Sequence, residues 1–239
     1  MERKEHIVAA FDRDLEGIQA MIMKMGGLVE EAISGAVTAL ETRDEELALK
    51  VRQADKAIDA LEEKVNQEAA LILALRQPTA GDLRTVLTVF RLSASLERIG
   101  DYAKNMANRA GVVMQMQQIP GSLSGLRRMS RQVELMLKDA LDAYIQRDAD
   151  LAADIRDRDV EVDQMYSALF REYLTFMMED PRNITPCMHL HFMAKNIERM
   201  GDHVTTIAEQ VIYLVSGTYP EDDREKADRS SHDLGLEEE

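Results

Sequence analysis

The chain has 239 residues, of which 45% are hydrophobic, so it can bury one large core or two smaller ones. Its 44 acidic residues outnumber its 29 basic residues, and the resulting net charge of −15 disfavours broad electrostatic binding to DNA or RNA. The single cysteine, Cys187, excludes an internal disulfide, and no apolar run reaches the roughly 18 residues of a membrane span, so we predict a soluble, cytoplasmic protein.

Good helix formers dominate the segments between the five prolines, and strand signals are poor. In chain order, this pattern predicts six long helices, at residues 5–42, 44–76, 82–117, 122–147, 149–179 and 187–217. Asp44 and Asp148 each follow an arginine at a tight turn, where an aspartate side chain can cap the next helix. Residues 221–239 hold nine acidic and three basic residues without apolar periodicity, which predicts a disordered acidic tail.

The two halves of the chain repeat each other. Asp55 in the second helix matches Asp159 in the fifth, an offset of 104 residues, and Ile99 in the third matches Met200 in the sixth, an offset of 101. Apolar residues alternate at spacings of three and four along both the third and the sixth helices, as in the seam of a helical bundle. Any two amphipathic helices align when slid past each other, but the polar residues of these helices match as well.

This repeat predicts an all-α fold of two tandem three-helix bundles produced by internal duplication. We predict that residues 1–118 form the first bundle, residues 122–218 the second, and residues 219–239 the tail.

Two copies of an E-R-x-G-D motif, at residues 97–101 and 198–202, are the most specific part of the repeat. The Glu and Asp of each motif lie one helical turn apart on the same face, and the second helix of each half adds two aspartates at that spacing. If the second and third helices of each half are neighbours, four carboxylates converge in each of two equivalent clusters. These eight residues are Asp55, Asp59, Glu97, Asp101, Asp159, Asp163, Glu198 and Asp202.

Such clusters have two interpretations. In the first, the clusters are sites for Mg, Mn or Fe, because oxygen-only ligands suit hard or borderline cations and no repeated His or Cys indicates zinc. Alternatively, they form electrostatic patches that dock a basic partner. Gly100 and Gly201 lie in mid-helix, where glycine costs about 1 kcal/mol relative to alanine, so they indicate either close helix packing or room for a ligand.

The duplicated E-R-x-G-D motif, with a D-x-x-x-D helix before each copy, resembles the PhoU family of bacterial phosphate-uptake regulators. The similarity extends to residues 25–30, to the Pro78-x-x-x-Asp82 entry of the third helix and to residues 201–214 of the last. It implies two similar three-helix bundles with approximate two-fold symmetry and, in some members, metal clusters on the eight carboxylates. The chain departs from the family at Thr206, where an asparagine is common, and in its acidic tail.

The resemblance implies negative regulation of phosphate uptake and of the phosphate-starvation regulon. Proteins of this kind are thought to link the ATPase subunit of the phosphate ABC transporter to a phosphate-sensing histidine kinase, so membrane contact is expected only through these partners. Long helices and acidic stripes are physically suited to an adaptor. Amphipathic helices of this length can leave apolar strips uncovered, so we also expect a homodimer.

Three other functions are weighed against this one. A di-iron oxidase requires Glu-x-x-His on paired helices, and none of the five histidines has a glutamate three residues before it. A His-phosphotransfer bundle could use His203, whose repeat counterpart is Tyr102. A metal-storage protein would use the carboxylate clusters alone. No nucleophile–base pair or glycine-rich phosphate loop is found, so we do not expect an enzyme.

Overall fold

The computed structural model describes residues 2–78 and 80–220, with the side chains of residues 2–10 and 12 excepted. These residues form six α-helices and no strand, which confirms the all-α prediction. The helices are α1 (Glu2–Thr42), α2 (Glu45–Arg76), α3 (Ala80–Val113), α4 (Ser124–Gln146), α5 (Ala149–Glu179) and α6 (Ile184–Ser216). None of the described helices combines the length and the apolar character needed to cross a membrane. The predicted acidic tail, residues 221–239, lies outside the described residues.

Several helix boundaries differ from the prediction by one to four residues, and two of these differences have a local cause. The last turn of α3 tightens after Val113, where the Met116 N–H bonds the Val113 carbonyl three residues back, so the helix ends earlier than residue 117. Helix α6 begins at Ile184, three residues before the predicted start, after a short 3-10 turn at Pro181–Asn183. Pro186 therefore lies in the first turn of α6, where its missing N–H breaks no intrahelical bond.

The predicted caps of α2 and α5 are confirmed. The Asp44 carboxylate accepts a hydrogen bond from the Leu47 N–H at 2.9 Å, and the Asp148 carboxylate accepts one from the Leu151 N–H at 3.0 Å. The residue before each aspartate is an arginine with a φ of 55°, so the chain reverses through the same backbone geometry in both halves.

The six helices pack as two sets of three. Helices α1, α2 and α3 contact one another, as do α4, α5 and α6, while α3 packs on α6 and α1 on α4 between the halves. Tyr102 of α3 and His203 of α6, which are repeat counterparts, meet at 5.8 Å between ring centroids, so the approximate two-fold axis passes between them. Helices α2 and α5 contact helices of their own half alone.

Both apolar seams predicted from the repeat are buried in the core. They consist of Val89, Leu92, Leu96, Ile99, Ala103, Met106 and Ala110 on α3, and Leu190, Met193, Ile197, Met200, Val204, Ile207 and Val211 on α6. The two tandem three-helix bundles are therefore confirmed, whereas the domain boundaries at residues 118 and 122 stay a prediction.

Candidate functional site

The first carboxylate cluster forms where α2 packs on α3, and a lysine lies within it. The Lys104 Nζ donates a hydrogen bond to the Asp55 carboxylate at 2.5 Å and another to the Asp101 carboxylate at 3.4 Å. Asp55 is buried, with 3% of its surface exposed, whereas Asp59 is exposed. The hydrogen bond to Asp55 is the main cause that raises the pKa of Lys104 above its ordinary value. The ammonium group thus supplies the positive charge that this cluster requires.

Electrostatic coupling joins the other members of the first cluster. Burial, followed by the charge of Asp101, raises the pKa of Glu97 to about 7. Desolvation also raises the pKa of Asp59, with the charges of Asp55 and Asp101 adding to the shift. Because two carboxylic acids in contact share a proton more easily than they both ionise, Glu97 exchanges a proton near neutral pH.

The second cluster lies where α5 packs on α6, and it also contains a lysine. The Lys195 Nζ donates to one Glu198 oxygen at 3.0 Å, while the other oxygen, Oε2, is buried without a hydrogen-bond partner. Desolvation raises the pKa of Glu198, and the charges of Asp202 and Asp163 act in the same direction, against the lowering effect of Lys195. The fourth carboxylate, Asp159, is buried with 2% of its surface exposed.

Gly100 and Gly201 hold the helices of each half close together at these clusters. A Cβ added at Gly100 would lie 2.9 Å from the Ile58 Cδ1, and one added at Gly201 would lie 3.0 Å from the Asp159 Oδ1. Close packing therefore explains the first glycine. Close packing explains the second glycine as well, and the atom it accommodates belongs to a cluster carboxylate.

Neither lysine was among the site residues predicted from the sequence. Each lies three residues from a motif carboxylate, Lys104 after Asp101 and Lys195 before Glu198, and this i, i+3 spacing was the available signal. The carboxylate donors match hard cations in type, and the unpartnered Glu198 oxygen is a further potential ligand. Within the described residues, however, no three Asp, Glu, His or Cys side chains are placed so that they could hold a metal ion. Metal binding at the eight carboxylates therefore stays a prediction.

The two halves also match known proteins separately. A family model described as the PhoU domain matches residues 22–110 and again residues 126–211. The chain belongs to the PhoU family. The two matched segments correspond to the α1–α3 and α4–α6 sets, so each half is one copy of the PhoU domain.

Curated relatives and solved structures agree with this assignment. The chain is 45% identical over 227 residues to the phosphate-specific transport system accessory protein PhoU homolog of Rhizobium meliloti (strain 1021), covering 95% of each chain. It is similar to the crystal structure of PhoU from Pseudomonas aeruginosa, with a TM-score of 0.84, 41% identity and coverage of 87% of this chain and 100% of that one. The phosphate transport system regulatory protein PhoU from Streptococcus pneumoniae gives a TM-score of 0.81 at 29% identity, with coverage of 88% and 99%.

The duplicated PhoU architecture determines where His203 lies. Its ring packs against Tyr102 at the contact between α3 and α6, and burial lowers its pKa, against the raising effect of Asp202. His203 is thus a partly buried neighbour of the second cluster. A phosphotransfer role would require a protein partner to reach this ring between two packed PhoU domains.

Proposed function

We propose that this PhoU-family chain is a negative regulator of phosphate uptake and of the phosphate-starvation regulon. In this proposal it acts as an adaptor between the ATPase subunit of the phosphate ABC transporter and a phosphate-sensing histidine kinase. The observation that carries the proposal is similarity over 95% of the chain to an accessory protein of a phosphate-specific transport system. A cytoplasmic location and a homodimer are part of the same proposal, with membrane contact made only through the partners.

The arrangement of the helices supports an adaptor. Helices α2 and α5 contact helices of their own half alone, so each presents an outer face on its own side of the two-fold axis. At 1.5 Å per residue, the 32 residues of α2 extend over about 48 Å. Two similar long faces, each next to an acidic cluster, suit the binding of two partners by one chain.

A pull-down with the tagged full chain, from cells grown with and without phosphate, tests the adaptor. We expect recovery of the transporter ATPase and the histidine kinase, with more of both at high phosphate. A variant with Asp59→Asn and Asp101→Asn should recover less if the first cluster docks a partner. A variant with Glu45→Gln and Glu46→Gln is the matched control, because it removes two exposed charges from the start of α2, away from the cluster.

Deletion of this protein from the source cell tests regulation independently of the pull-down. A phosphate-regulon reporter should rise in high phosphate when the chain is deleted. An unchanged reporter, together with a pull-down that recovers neither partner, would contradict the proposed function and favour a metal-storage or phosphotransfer role.

A second proposal is that the carboxylate clusters bind Mg, Mn or Fe ions. The observation that favours it is the buried, unpartnered Glu198 oxygen among acidic neighbours. Asp55, Asp59, Glu97 and Asp101 would hold ions in the first half, and Asp159, Asp163, Glu198 and Asp202 in the second. A bound cation would neutralise these carboxylates and could be bridged by an acidic group of a partner.

Element analysis and titration of the purified full chain test this second proposal. The quadruple variant Glu97→Ala, Asp101→Ala, Glu198→Ala and Asp202→Ala should bind less metal than the wild type. The control removes four exposed acidic side chains elsewhere, namely Glu45, Glu46, Asp150 and Asp157. Equal binding by the wild type and the cluster variant would remove the metal proposal.

A further inference from the structure

A polar groove of about 400 Å³ runs between α3 and α6, on the side of the two-fold axis toward the end of α3. Six residues line it: Asn105, Asn108, Arg109, Val112, His189 and Asn196. None of these lining residues is acidic, although the chain as a whole carries a net charge of −15. The groove is therefore lined by one cationic side chain and four uncharged polar side chains, on a protein that is acidic as a whole.

The polar groups of this groove are available to a ligand. Among the described residues, the side-chain amides of Asn105, Asn108 and Asn196 make no hydrogen bond. The Nδ1 of His189 is buried and also lacks a partner. Desolvation and the nearby charge of Arg109 both lower the pKa of His189, which favours a neutral ring that carries one N–H donor. Asn105 and Asn108 are exposed, so their amides can exchange water for a ligand without breaking a contact within the protein.

Arg109 is held in place without a carboxylate. Its guanidinium carbon lies 4.5 Å from the centroid of the Phe192 ring, and it forms no ion pair with a described acidic residue. Stacking on an aromatic face orients the planar group and leaves its N–H donors unpaired at the edge. The carboxylate one turn before Asn105 is that of Asp101, and its charge is offset by Lys104 and Arg98.

We propose that this groove binds a small tetrahedral oxyanion of the phosphate type. Arg109 supplies the charge and a forked pair of donors, while the asparagine amides and the His189 ring complete the hydrogen bonds. The oxyanion can come from free inorganic phosphate or from the phosphates of a nucleotide, which share this chemistry. If it is free phosphate, the groove gives the regulator a direct effector, and that role rests on the proposed function.

The repeat predicts one such site per chain. On the other side of the two-fold axis, Gln210 stands at the position of Arg109, Thr88 at that of His189, and Glu209 at that of Asn108. Each position is related to its counterpart by the offset of 101 residues. The second position therefore lacks the arginine, and its carboxylate, Glu209, forms an ion pair with Arg156 at 3.4 Å, so that cation is already neutralised.

Equilibrium dialysis of the full chain with radiolabelled inorganic phosphate, in metal-free buffer, tests the site. We expect one saturable site per chain with a dissociation constant between about 10 µM and 10 mM, a range suited to a ligand of five heavy atoms. Arg109→Gln, which installs the residue found at the repeat counterpart, should weaken binding at least about tenfold. Arg91→Gln is the matched control, because it removes the same charge from an exposed position of α3 and should leave binding unchanged.

Competing ligands identify the source of the oxyanion. Displacement of phosphate by sulfate, with weak competition by ATP, supports a site for the free ion. Binding of ATP but not of phosphate, lost in Arg109→Gln, supports the same site with a nucleotide as its ligand. Absence of saturable binding of either ligand, or equal weakening by Arg91→Gln, overturns the proposal. Circular dichroism of each variant checks that it folds. The adaptor proposal is tested separately by the pull-down, so its failure can be distinguished from failure of the oxyanion site.

Discussion

The two carboxylate clusters carry the same four acidic positions but differ in their exposure to solvent. In the first half, Asp59 is exposed and Glu97 is partly buried, whereas their counterparts Asp163 and Glu198 are buried, with 5% and 7% of their surfaces exposed. The predicted equivalence of the clusters therefore applies to their residues and not to their environments. The first cluster is therefore the more open of the two, and the second, in which Lys195 and Asp202 remain partly exposed, is the more closed.

The two clusters also obtain their positive charge from different positions. Lys104 follows its motif, and its repeat counterpart is Thr205, whereas Lys195 precedes its motif, and its counterpart is Ala94. The repeat thus retains the carboxylates and not the cation. This difference indicates that each acidic cluster requires a compensating positive charge, and that a lysine at more than one position can supply it.

Substitution of each lysine should give the largest difference in the free energy of unfolding between the closed cluster and the open one. Lys195→Met leaves Glu198 buried without its ammonium partner, so we expect a loss of about 2–3 kcal/mol in the free energy of unfolding at pH 7. Lys104→Met also removes the ammonium partner of a buried carboxylate, Asp55, but water reaches this cluster at the exposed Asp59, so we expect a smaller loss of about 1 kcal/mol. Urea unfolding of both variants measures the difference.

Lys50→Met is the control for these variants, since it breaks an ion pair with Glu46 in which both side chains are mostly exposed. We expect it to change stability by less than about 0.5 kcal/mol. Equal losses in Lys104→Met and Lys195→Met would show that the two clusters do not differ in desolvation.

The pH dependence of stability should also differ between the halves. The pKa of Glu97 is raised from 4.5 to about 7 in the folded chain, so between these values the folded state binds more protons than the unfolded state. Stability from this group is therefore present below pH 4.5 and is lost as the pH rises through 7. Glu97→Gln removes this loss, and we expect a gain of about 1 kcal/mol at pH 8 that disappears below pH 4.5.

Glu198→Gln provides the comparison in the second half. Burial raises the pKa of Glu198 as well, but this substitution also breaks the hydrogen bond from Lys195, so its gain at pH 8 should be smaller. The free energy of unfolding of both variants is measured in urea at several pH values, with a chelator present. Identical pH profiles for the two variants would contradict the assigned role of Lys195.

Much of the fold could be predicted because helical periodicity and turn chemistry are local. The spacings of three and four residues located the seams of α3 and α6, and the Arg-Asp turns located two helix starts. The repeat placed all eight carboxylates on the correct helices. The seams and the helix starts depend on residues within a few turns of one another, whereas the carboxylates were placed by comparing the two halves.

The features that were missed depend on contacts distant in sequence. The unequal burial of Asp59 and Asp163 depends on how whole helices rotate against each other, which periodicity does not determine to within one side chain. The end of α3 is set partly by Arg43, whose guanidinium donates to the carbonyls of Met114 and Met116, about 70 positions later in the chain. Lys104 meets Asp55 across two helices for the same reason.

The turns before α2 and α5 give the smallest expected difference between the halves. Arg43 and Arg147 share a φ of 55°, which glycine adopts without strain, so Arg147→Gly should stabilise the chain by about 0.5 kcal/mol. Arg43→Gly relieves the same strain but loses the hydrogen bonds to the end of α3, so a net loss of about 0.5 kcal/mol is expected. Urea unfolding of the two variants in parallel measures this difference. Equal gains would mean that the Arg43 contacts contribute nothing, because the backbone geometry of the two turns is the same.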